Sequence, residues 1–292
     1  MNIDNVKKNI ILTPFNLLYK ISPELNIKIL FWLKCRYKLN LKNPVTYNEK
    51  LQWIKFYNKN PLMPKCCDKY TVREYVESKG CGAILNVLIW EGFNPGDIPF
   101  DSLPERFVIK VTHGSTFNII CTDKSKLNQQ DVIANCKKWL KVKFLPCYGE
   151  WFYGIEKPRI IIEGYLDNGN DGLRDYKVYC FNGIPRYISV DSGRGTGEHF
   201  KDIYDTGWNL QYGFEMAYKC TNEPERKPDC LNELLTYAKI LSEDFLHARV
   251  DFYIVNAKII FGEITFTNSA GFGTVSPYEF AKSMGDYLKL PL

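Results

Sequence analysis

Apolar positions along the chain alternate between helical and extended spacing. Residues 5–60 favour helices, and Thr46-Tyr-Asn-Glu49 has the composition of a capping box ahead of a periodic apolar run. Residues 129–143 place apolar side chains on one helical stripe and predict a further helix. From Arg106 onward, short runs rich in β-branched and aromatic residues predict strands. The pattern therefore indicates a mixture of helices and β-hairpins.

Two stretches have the pattern of β-hairpins. In residues 175–190 the strand-like runs flank Asn182-Gly183, a pair that is typical of two-residue turns. In residues 249–271 two runs rich in Val, Ile, Phe and Tyr flank a polar break at Asn256-Ala257-Lys258. We take the second hairpin as the centre of the candidate site, because it carries acidic side chains on both strands.

The alternation of side chains along the two strands of the second hairpin determines which of them lie on the same face. Side chains alternate along a strand, so Arg249, Asp251 and Tyr253 share one face of the first strand. Glu263 and Thr265 share one face of the second strand. Two close carboxylates repel each other unless a cation lies between them, and such oxygen ligands suit Mg²⁺ or Mn²⁺. The alternative is a pair of solvated surface carboxylates.

The turn of this hairpin decides between the two interpretations. A two-residue turn at Asn256-Ala257 would place Asp251 opposite Gly262, and Glu263 would then point to the other side of the sheet. That turn needs positive φ at both central residues, which alanine resists. We therefore expect a three- or five-residue loop, or a bulge, that places Asp251 directly across from Glu263.

A polar loop follows an earlier strand. Lys110 ends an apolar run, and residues 113–116 then read His113, Gly114, Ser115 and Thr116. Successive backbone N–H groups in a glycine loop can bind phosphate oxygens, and the lysine adds a positive charge. The spacing is not that of a P-loop, and a plain hairpin turn is the alternative.

Composition narrows the function classes. The 292 residues carry a net charge of +5 with both signs interspersed, which is no nucleic-acid signature. The ten cysteines lack a metal-type spacing, and only three histidines are present, which disfavours a catalytic triad or a histidine-rich metal site. No apolar run is long enough to span a membrane, and no cleavage signal is seen. We expect a cytoplasmic protein with reduced thiols.

Basic and aromatic residues in the first helices leave two interpretations open. They could contact a membrane surface, or the helices could pack against their own domain. The second is favoured by the sequence alone, because Lys and Arg are not segregated to one helical face.

In order and spacing, several motifs resemble the teichuronopeptide-biosynthesis (TupA)-like ATP-grasp family over most of the chain. The motifs are Tyr47-Asn-Glu-Lys-Leu-Gln-Trp53, Cys67-Asp-Lys-Tyr-Thr-Val-Arg-Glu-Tyr-Val76, Phe107-Val-Ile-Lys110, His113-Gly-Ser115, Asp175-Tyr-Lys177, Arg249-Val-Asp251 and Phe261-Gly-Glu263-Ile-Thr-Phe266. The resemblance implies an α+β ATP-grasp fold in which two antiparallel-sheet subdomains clamp ATP. The implied divisions are a mostly helical region at 1–104, a lid subdomain at 105–165 and a C-terminal subdomain with the metal site at 166–292.

The resemblance also implies roles for individual residues. ATP would contact the phosphate-binding Lys110 and Lys177, the loop of His113, Gly114 and Ser115, the hinge backbone of Glu163, Gly164, Tyr165 and Leu166, and Asp175 at the ribose. Asp251 and Glu263 would hold Mg²⁺, and Arg249 would face an acyl phosphate. The family commonly has Asn two residues after the metal-binding Glu, where this chain has Thr265. Either Thr265 or the nearby Asn268 would then complete the metal site.

The activity implied by the family is an ATP-dependent carboxylate–amine ligase of bacterial cell-surface polysaccharide synthesis, for example one that joins an amino acid to a uronic acid. A nucleotide-sugar glycosyltransferase is one alternative, although no Asp-x-Asp motif occurs. A non-catalytic ATP-grasp-shaped binding protein is another, because of Thr265. Residues 191–227, which include Arg194, His199, Lys201 and Arg226, are expected to form a long excursion that helps bind an acidic acceptor. The sequence does not indicate the oligomeric state.

Overall fold

The computed structural model describes residues 3–169, 173–192, 199–221 and 223–291. Arg194 lies outside the described residues, so its expected role in acceptor binding stays a prediction. The helices are α1 (Ile3–Ile21), α2 (Pro23–Cys35), α3 (Tyr47–Tyr57), α4 (Leu62–Cys67), α5 (Val72–Ser78), α6 (Gln129–Leu140), α7 (Leu231–Ser242) and α8 (Tyr278–Tyr287). The strands are β1 (Leu88–Gly92), β2 (Phe107–Val111), β3 (Asn118–Cys121), β4 (Ile160–Gly164), β5 (Asp175–Phe181), β6 (Ile184–Ser192), β7 (Phe200–Asp205), β8 (Glu215–Met216), β9 (His247–Val255), β10 (Lys258–Thr265) and β11 (Val275–Ser276).

The smaller of the two main sheets has four antiparallel strands in the order β1-β4-β2-β3. Its apolar side packs against α6, and the shared core contains Phe107, Ile109, Val132, Cys136 and Ile162. Strand β1 comes from the region ahead of the expected boundary at residue 104. The three-part division of the chain stays a prediction, but this sheet is completed by a strand from its first part.

The larger sheet has five antiparallel strands in the order β10-β9-β5-β6-β7. One side is apolar and packs against α7, because Val178, Ile188 and Val250 alternate with polar residues along their strands. The other side carries most of the charged residues considered below. Strand β7 lies in the segment expected to be a long excursion; the structure shows instead that part of this segment is an edge strand of the sheet.

Helices α1 and α2 form a hairpin that packs against the rest of the chain. Their inner faces share an apolar cluster with Cys147 and Phe272, and the Asn26 side chain donates to the Cys147 carbonyl at 2.8 Å. No helix of the described residues is long and apolar enough to cross a membrane. The expected capping box of α3 is confirmed: the Thr46 hydroxyl accepts from the Glu49 amide, and the Glu49 carboxylate accepts from the Thr46 amide.

The turn between β9 and β10 differs from our expectation. Asn256 and Ala257 form a two-residue turn, with φ values of 49° and 62°. The prediction that alanine would prevent this turn is therefore wrong. Fourteen residues of paired strand flank it, and their ladder hydrogen bonds outweigh the local strain of one alanine in the left-handed region.

Candidate active site

A bulge in β10 brings the two carboxylates of the central hairpin together. The pairing runs in register from Lys258↔Val255 to Phe261↔Phe252, and it then shifts so that Glu263 pairs with Asp251. Gly262 is the extra residue. A Cβ atom at this position would lie 3.0 Å from the Asp251 carbonyl oxygen, so glycine permits the close approach. The predicted placement of Asp251 across from Glu263 is confirmed, and the bulge at Gly262 produces it.

The guanidinium of Arg249 lies between these carboxylates. It donates from Nε to Asp251 Oδ1 at 2.7 Å and from Nη2 to Asp251 Oδ2 at 2.6 Å. The same Nη2 lies 3.1 Å from Glu263 Oε1 and 3.1 Å from the Thr265 hydroxyl. A bidentate, charge-assisted contact of this kind fixes both partners. In this structure, therefore, Arg249 supplies the positive charge that the paired carboxylates require.

Lys177 is surrounded by three aspartates. Its ammonium lies 2.5 Å from Asp175, 3.3 Å from Asp191 and 3.4 Å from Asp251. The Lys177 side chain is only 5% exposed. Because β5 pairs with both β6 and β9, the register places Asp191 beside Asp175 and Asp251 beside Lys177. Asp191 was not among the site residues that we predicted from the sequence.

The mutual charges set the protonation of this cluster. Burial lowers the pKa of Lys177, but Asp251 and Asp175 outweigh it and raise the pKa above its usual range. Burial raises the pKa of Asp251 against the opposing pull of Arg249 and Lys177. Burial would also raise the pKa of Glu263, but Lys69, Arg249 and Lys177 hold it at about 2. At neutral pH the cluster thus presents an ionised Glu263 and a charged lysine.

The four-stranded sheet contributes a second charged group. The ammonium of Lys110 donates to Glu163 Oε2 at 2.6 Å, and Arg73 of α5 lies 3.6 Å from the other oxygen of the same carboxylate. Lys110 and Glu163 line a small cleft together with Lys69, Arg73 and Gly262. The cleft therefore joins the smaller sheet, the α4–α5 region and the bulge of the central hairpin.

The loop at 113–116 is fixed at two points. The His113 ring is buried, and its Nε2 lies 2.8 Å from the Val142 carbonyl. Burial lowers the pKa of His113. The ammonium of Lys69 donates to the Gly114 carbonyl at 2.8 Å, while Ser115 is exposed. The His113 side chain is therefore engaged by the protein, and phosphate binding by the loop backbone stays a prediction.

The expected hinge follows the end of β4. The Gly164 amide donates to the Val87 carbonyl at 2.9 Å, and the Gly164 carbonyl accepts from Asn86 at 2.9 Å. The Tyr165 ring, one residue later, lies under the guanidinium of Arg106 at 5.2 Å. Adenine contacts by the backbone of 163–166 stay a prediction. Because the Glu163 side chain holds Lys110, this residue also has a role that the sequence argument did not foresee.

Thr265 and Asn268, the two candidates for completing the metal site, have different surroundings. The Thr265 hydroxyl donates to Glu263 Oε1 at 3.1 Å. Asn268 Oδ1 instead accepts from the Tyr47 hydroxyl at 2.5 Å, and that hydroxyl also lies 2.9 Å from His247 Nε2. Thr265 is therefore the candidate that lies beside the carboxylates.

Helix α3 holds the segment that follows β10. Ser269, Ala270 and Gly271 all have positive φ and form a left-handed turn. One face of α3 binds its carbonyls: Asn48 and Gln52 donate to Gly271, and Lys55 donates to Ala270 at 2.8 Å. The motif around Tyr47 to Trp53 thus fixes the chain just beyond the paired carboxylates.

The donor set suits a metal that shares its ligands with a nucleotide. Among the described ranges, no group of three or more His, Cys, Asp and Glu side chains has the geometry to hold a metal ion. Asp251 and Glu263 supply oxygen ligands on adjacent strands. Mg²⁺ is typically bound by one or two carboxylates and completes its shell with water and phosphate oxygens. Asp251 and Glu263 fit Mg²⁺ only when a bound phosphate supplies further oxygen ligands.

Lys69 and Arg73 of the cleft and Asp191 beside Lys177 were not predicted from the sequence, although each left a signal. Lys69 and Arg73 lie four apart in the quoted 67–76 motif, which was given no role. Asp191 follows the Asn182-Gly183 turn, but a bulge between Tyr179 and Cys180 shifts its register by one residue. Simple counting from the turn would place Val190 opposite Asp175.

Comparison with solved structures finds ligases and a synthetase at low sequence identity. L-amino acid ligase from Bacillus licheniformis is 12% identical with a TM-score of 0.47, over 77% of this chain and 49% of that chain. D-alanine–D-alanine ligase from Bacillus anthracis complexed with ATP is 15% identical with a TM-score of 0.43, over 69% and 55%. N5-carboxyaminoimidazole synthetase from Staphylococcus aureus is 13% identical with a TM-score of 0.41, over 77% and 52%. The chain thus spans about half the length of each.

No curated protein matches the chain. A family model described as TupA-like ATPgrasp matches residues 49–289, which is most of the chain. The two antiparallel sheets with a helical region ahead of them agree with the fold class that the sequence motifs implied. The chain belongs to the TupA-like ATP-grasp family.

Proposed function

We propose that this protein is an ATP-dependent carboxylate–amine ligase that forms an amide through an acyl phosphate. The observation that carries the proposal is the facing pair of Asp251 and Glu263 with Lys177 beside Asp251, next to a cleft that Lys110 lines together with Gly262 of the same bulge. A cluster of this composition is suited to a triphosphate and its metal ion.

The reaction needs positioned charge more than a protein nucleophile. A carboxylate oxygen of the first substrate attacks the γ-phosphorus of ATP, and the bond to the β-phosphate oxygen breaks to release ADP. The amine of the second substrate then attacks the acyl carbon, loses a proton and displaces inorganic phosphate. Both steps are accelerated when fixed cations neutralise oxygens that gain charge.

The charged residues of the candidate site have separate roles in this reaction. Lys110 and Lys177 bind phosphate oxygens, and Lys69 links the 113–116 loop to the same region through the Gly114 carbonyl. Arg249, which contacts both carboxylates, is positioned to move toward the acyl phosphate. Asp251 and Glu263, with Thr265 beside them, would hold Mg²⁺, and that ion would neutralise the β- and γ-phosphate oxygens.

The proposed substrates follow from the family. We assign the enzyme to bacterial cell-surface polysaccharide synthesis, with a uronic acid as one acid substrate and an amino acid as one amine. Two basic residues of the 191–227 segment support an acidic acceptor near the Lys177 cluster: His199 Nε2 and Lys201 Nζ lie 3.7 Å and 3.6 Å from Asp191. Arg226 instead pairs with Asp229 on the surface.

A turnover assay tests the proposal. The enzyme is incubated with ATP and Mg²⁺ and with pairs drawn from a panel of uronic acids and amino acids, and ADP and condensed products are followed by mass spectrometry. We expect ADP in one-to-one ratio with an amide product, and only when both substrates are present.

Two matched variants distinguish the effect of a substitution in the site from that of a substitution on the surface. Glu263→Gln should abolish product, whereas Asp229→Asn, a substitution in an exposed ion pair, should leave it unchanged. Thermal stabilisation by UDP-sugars and not by ATP would favour the glycosyltransferase alternative. Binding of ATP without turnover across the panel would favour a non-catalytic protein.

A further inference from the structure

The helical hairpin of α1 and α2 carries an unpartnered apolar stripe. On α2, Leu25, Ile29, Trp32 and Leu33 follow the i, i+4, i+7, i+8 spacing of one helical face. All four are exposed, from 36% for Ile29 to 54% for Trp32. At the end of α1, Leu17 and Ile21 are exposed as well, at 61% and 76%. An exposed apolar stripe of this length marks an interaction surface.

The stripe is separate from the face that holds the hairpin in place. Ile27, Leu30 and Phe31 project from the opposite side of α2 and are at most 2% exposed. They form a cluster with Cys147 and Phe272, so α2 is apolar on both sides. The buried side anchors the helix, and the outer stripe has no role in that packing.

The same segment holds an excess of positive charge. Residues 1–43 contain eight Lys and Arg but only two Asp and Glu, a net charge of +6. The whole chain carries +5, so residues 44–292 together carry −1. Lys20 and Lys38 are exposed, and Lys28 pairs only across one helical turn with Glu24 at 2.6 Å. The family match begins at residue 49, so this charged segment lies ahead of the shared ATP-grasp region.

We propose that α1 and α2 dock this protein onto the surface of an anionic phospholipid bilayer. A helix with exposed Leu, Ile and Trp on one side and lysines at its margins is typical of peripheral attachment in the interfacial plane. Lysine stems cover apolar surface while their ammonium groups reach lipid phosphates. The basic residues therefore complement the negative charge of the bilayer surface, and the apolar stripe fits the apolar layer beneath it.

Charge also distinguishes this partner from a second copy of the chain. A two-fold contact through the stripe would bring two segments of +6 together, and like charges at close range oppose association. An anionic bilayer has the opposite sign and an apolar layer for the stripe. The inference does not depend on the proposed reaction, because it uses none of the cleft residues.

Vesicle flotation of the full chain tests the docking. We expect the protein to float with vesicles of phosphatidylcholine and phosphatidylglycerol, to remain below vesicles of phosphatidylcholine alone, and to be released by added salt. The double variant Ile29→Ser, Trp32→Ser should weaken partitioning by about tenfold or more. The control Ile120→Ser, which alters a more exposed apolar residue on β3, should float like the wild type.

A second variant tests the charge and does not touch the stripe. Lys20→Glu combined with Lys38→Glu should weaken binding by about fivefold or more for each residue, because each lysine near an anionic surface adds to the attraction. Sedimentation velocity without lipid should show the same species for all variants. Wild-type protein that does not float with anionic vesicles would overturn the inference. A dimer that the stripe variant dissociates would also overturn it, because the stripe would then serve a second copy.

Discussion

The two main sheets hold their charged residues in different ways. In the five-stranded sheet, Lys177 and Asp251 are at most 5% exposed as side chains, and their partners stand on the same or neighbouring strands. In the four-stranded sheet, Lys110 is 26% exposed, and its partner Glu163 on the paired strand is also contacted by Arg73 of α5. One sheet therefore fixes its charges by strand register alone, whereas the other adds a helix outside the sheet.

The register in the larger sheet depends on two irregularities. Both of its hairpins close with a two-residue turn, and both have a one-residue shift in the pairing. The shift places Glu263 opposite Asp251 in one hairpin and Asp191 opposite Asp175 in the other. Without the shift in the β9–β10 pairing, Glu263 would point to the apolar side of the sheet, since a one-residue slip exchanges the two faces of a strand.

The largest effect is expected from the carboxylate pair. Asp251→Asn should reduce turnover by at least about a hundredfold, because a metal ligand and a partner of Arg249 are lost together. Since Asp251 is 3% exposed and pairs with both Arg249 and Lys177, we also expect a loss of about 3 kcal/mol in the free energy of unfolding.

Glu263→Gln separates these two consequences. Its side chain is 42% exposed, so the variant should lose as much turnover as Asp251→Asn but much less stability. Turnover and urea denaturation measure the two quantities. Near wild-type turnover in either variant would remove the pair from the site.

Substitution of the two lysines sharpens the contrast between the sheets. Lys177→Ala leaves three aspartates without their shared cation, and we expect it to cost about 3–5 kcal/mol of unfolding free energy. Lys110→Ala should cost less than about 1 kcal/mol, because that lysine is partly exposed. Both should raise the KM for ATP, and equal stability losses would contradict the comparison.

The bulge itself can be tested at Gly262. In Gly262→Val the new side chain would meet the Asp251 carbonyl and the Tyr253 ring, at 3.0 Å and 3.4 Å from the Cβ position. We expect a loss of about 1–3 kcal/mol in stability and a lower kcat, because the Asp251–Glu263 pairing shifts. Gly82→Ala is the control, since its added Cβ would make only ordinary contact with Glu77. Unchanged kcat in Gly262→Val would show that the pairing tolerates displacement.

The last prediction concerns stability alone, as a pH dependence at His247, the first residue of β9. Burial lowers the pKa of His247 to about 4, below its ordinary value near 6.5. The unfolded chain therefore binds more protons between pH 6.5 and pH 4, so stability falls as the pH drops through this window, by about 3 kcal/mol at most. His247→Gln should unfold more easily at pH 7 but show a flatter profile. Parallel profiles of melting temperature in the two proteins would contradict this assignment.

The sequence was sufficient for the parts that depend on local pattern. The capping box at Thr46 and the Asn182-Gly183 turn follow from spacing, and the structure confirms them. The facing of Asp251 and Glu263 was predicted on condition of a longer loop or a bulge, and the bulge provides it. The two-residue turn at Ala257 was predicted wrongly, because propensity was weighed without the ladder that overrides it.

The missed features depend on tertiary structure. Lys69 and Arg73 reach the cleft only because α4 packs against β10 and Arg73 of α5 contacts Glu163 of β4, and no local sequence pattern predicts these contacts. The contact of Arg249 with both carboxylates requires the bulge and the pairing together. Strand β7 was hidden in a polar segment, where it needs only β6 as a partner.

The most direct test of the account is a crystal structure with Mg²⁺ and a non-hydrolysable ATP analogue. We predict a metal ion at about 2.0–2.1 Å from oxygens of both Asp251 and Glu263, with Lys110 and Lys177 on the phosphates and Arg249 withdrawn from Glu263. A nucleotide bound with its metal ion away from these two carboxylates would contradict the central claim.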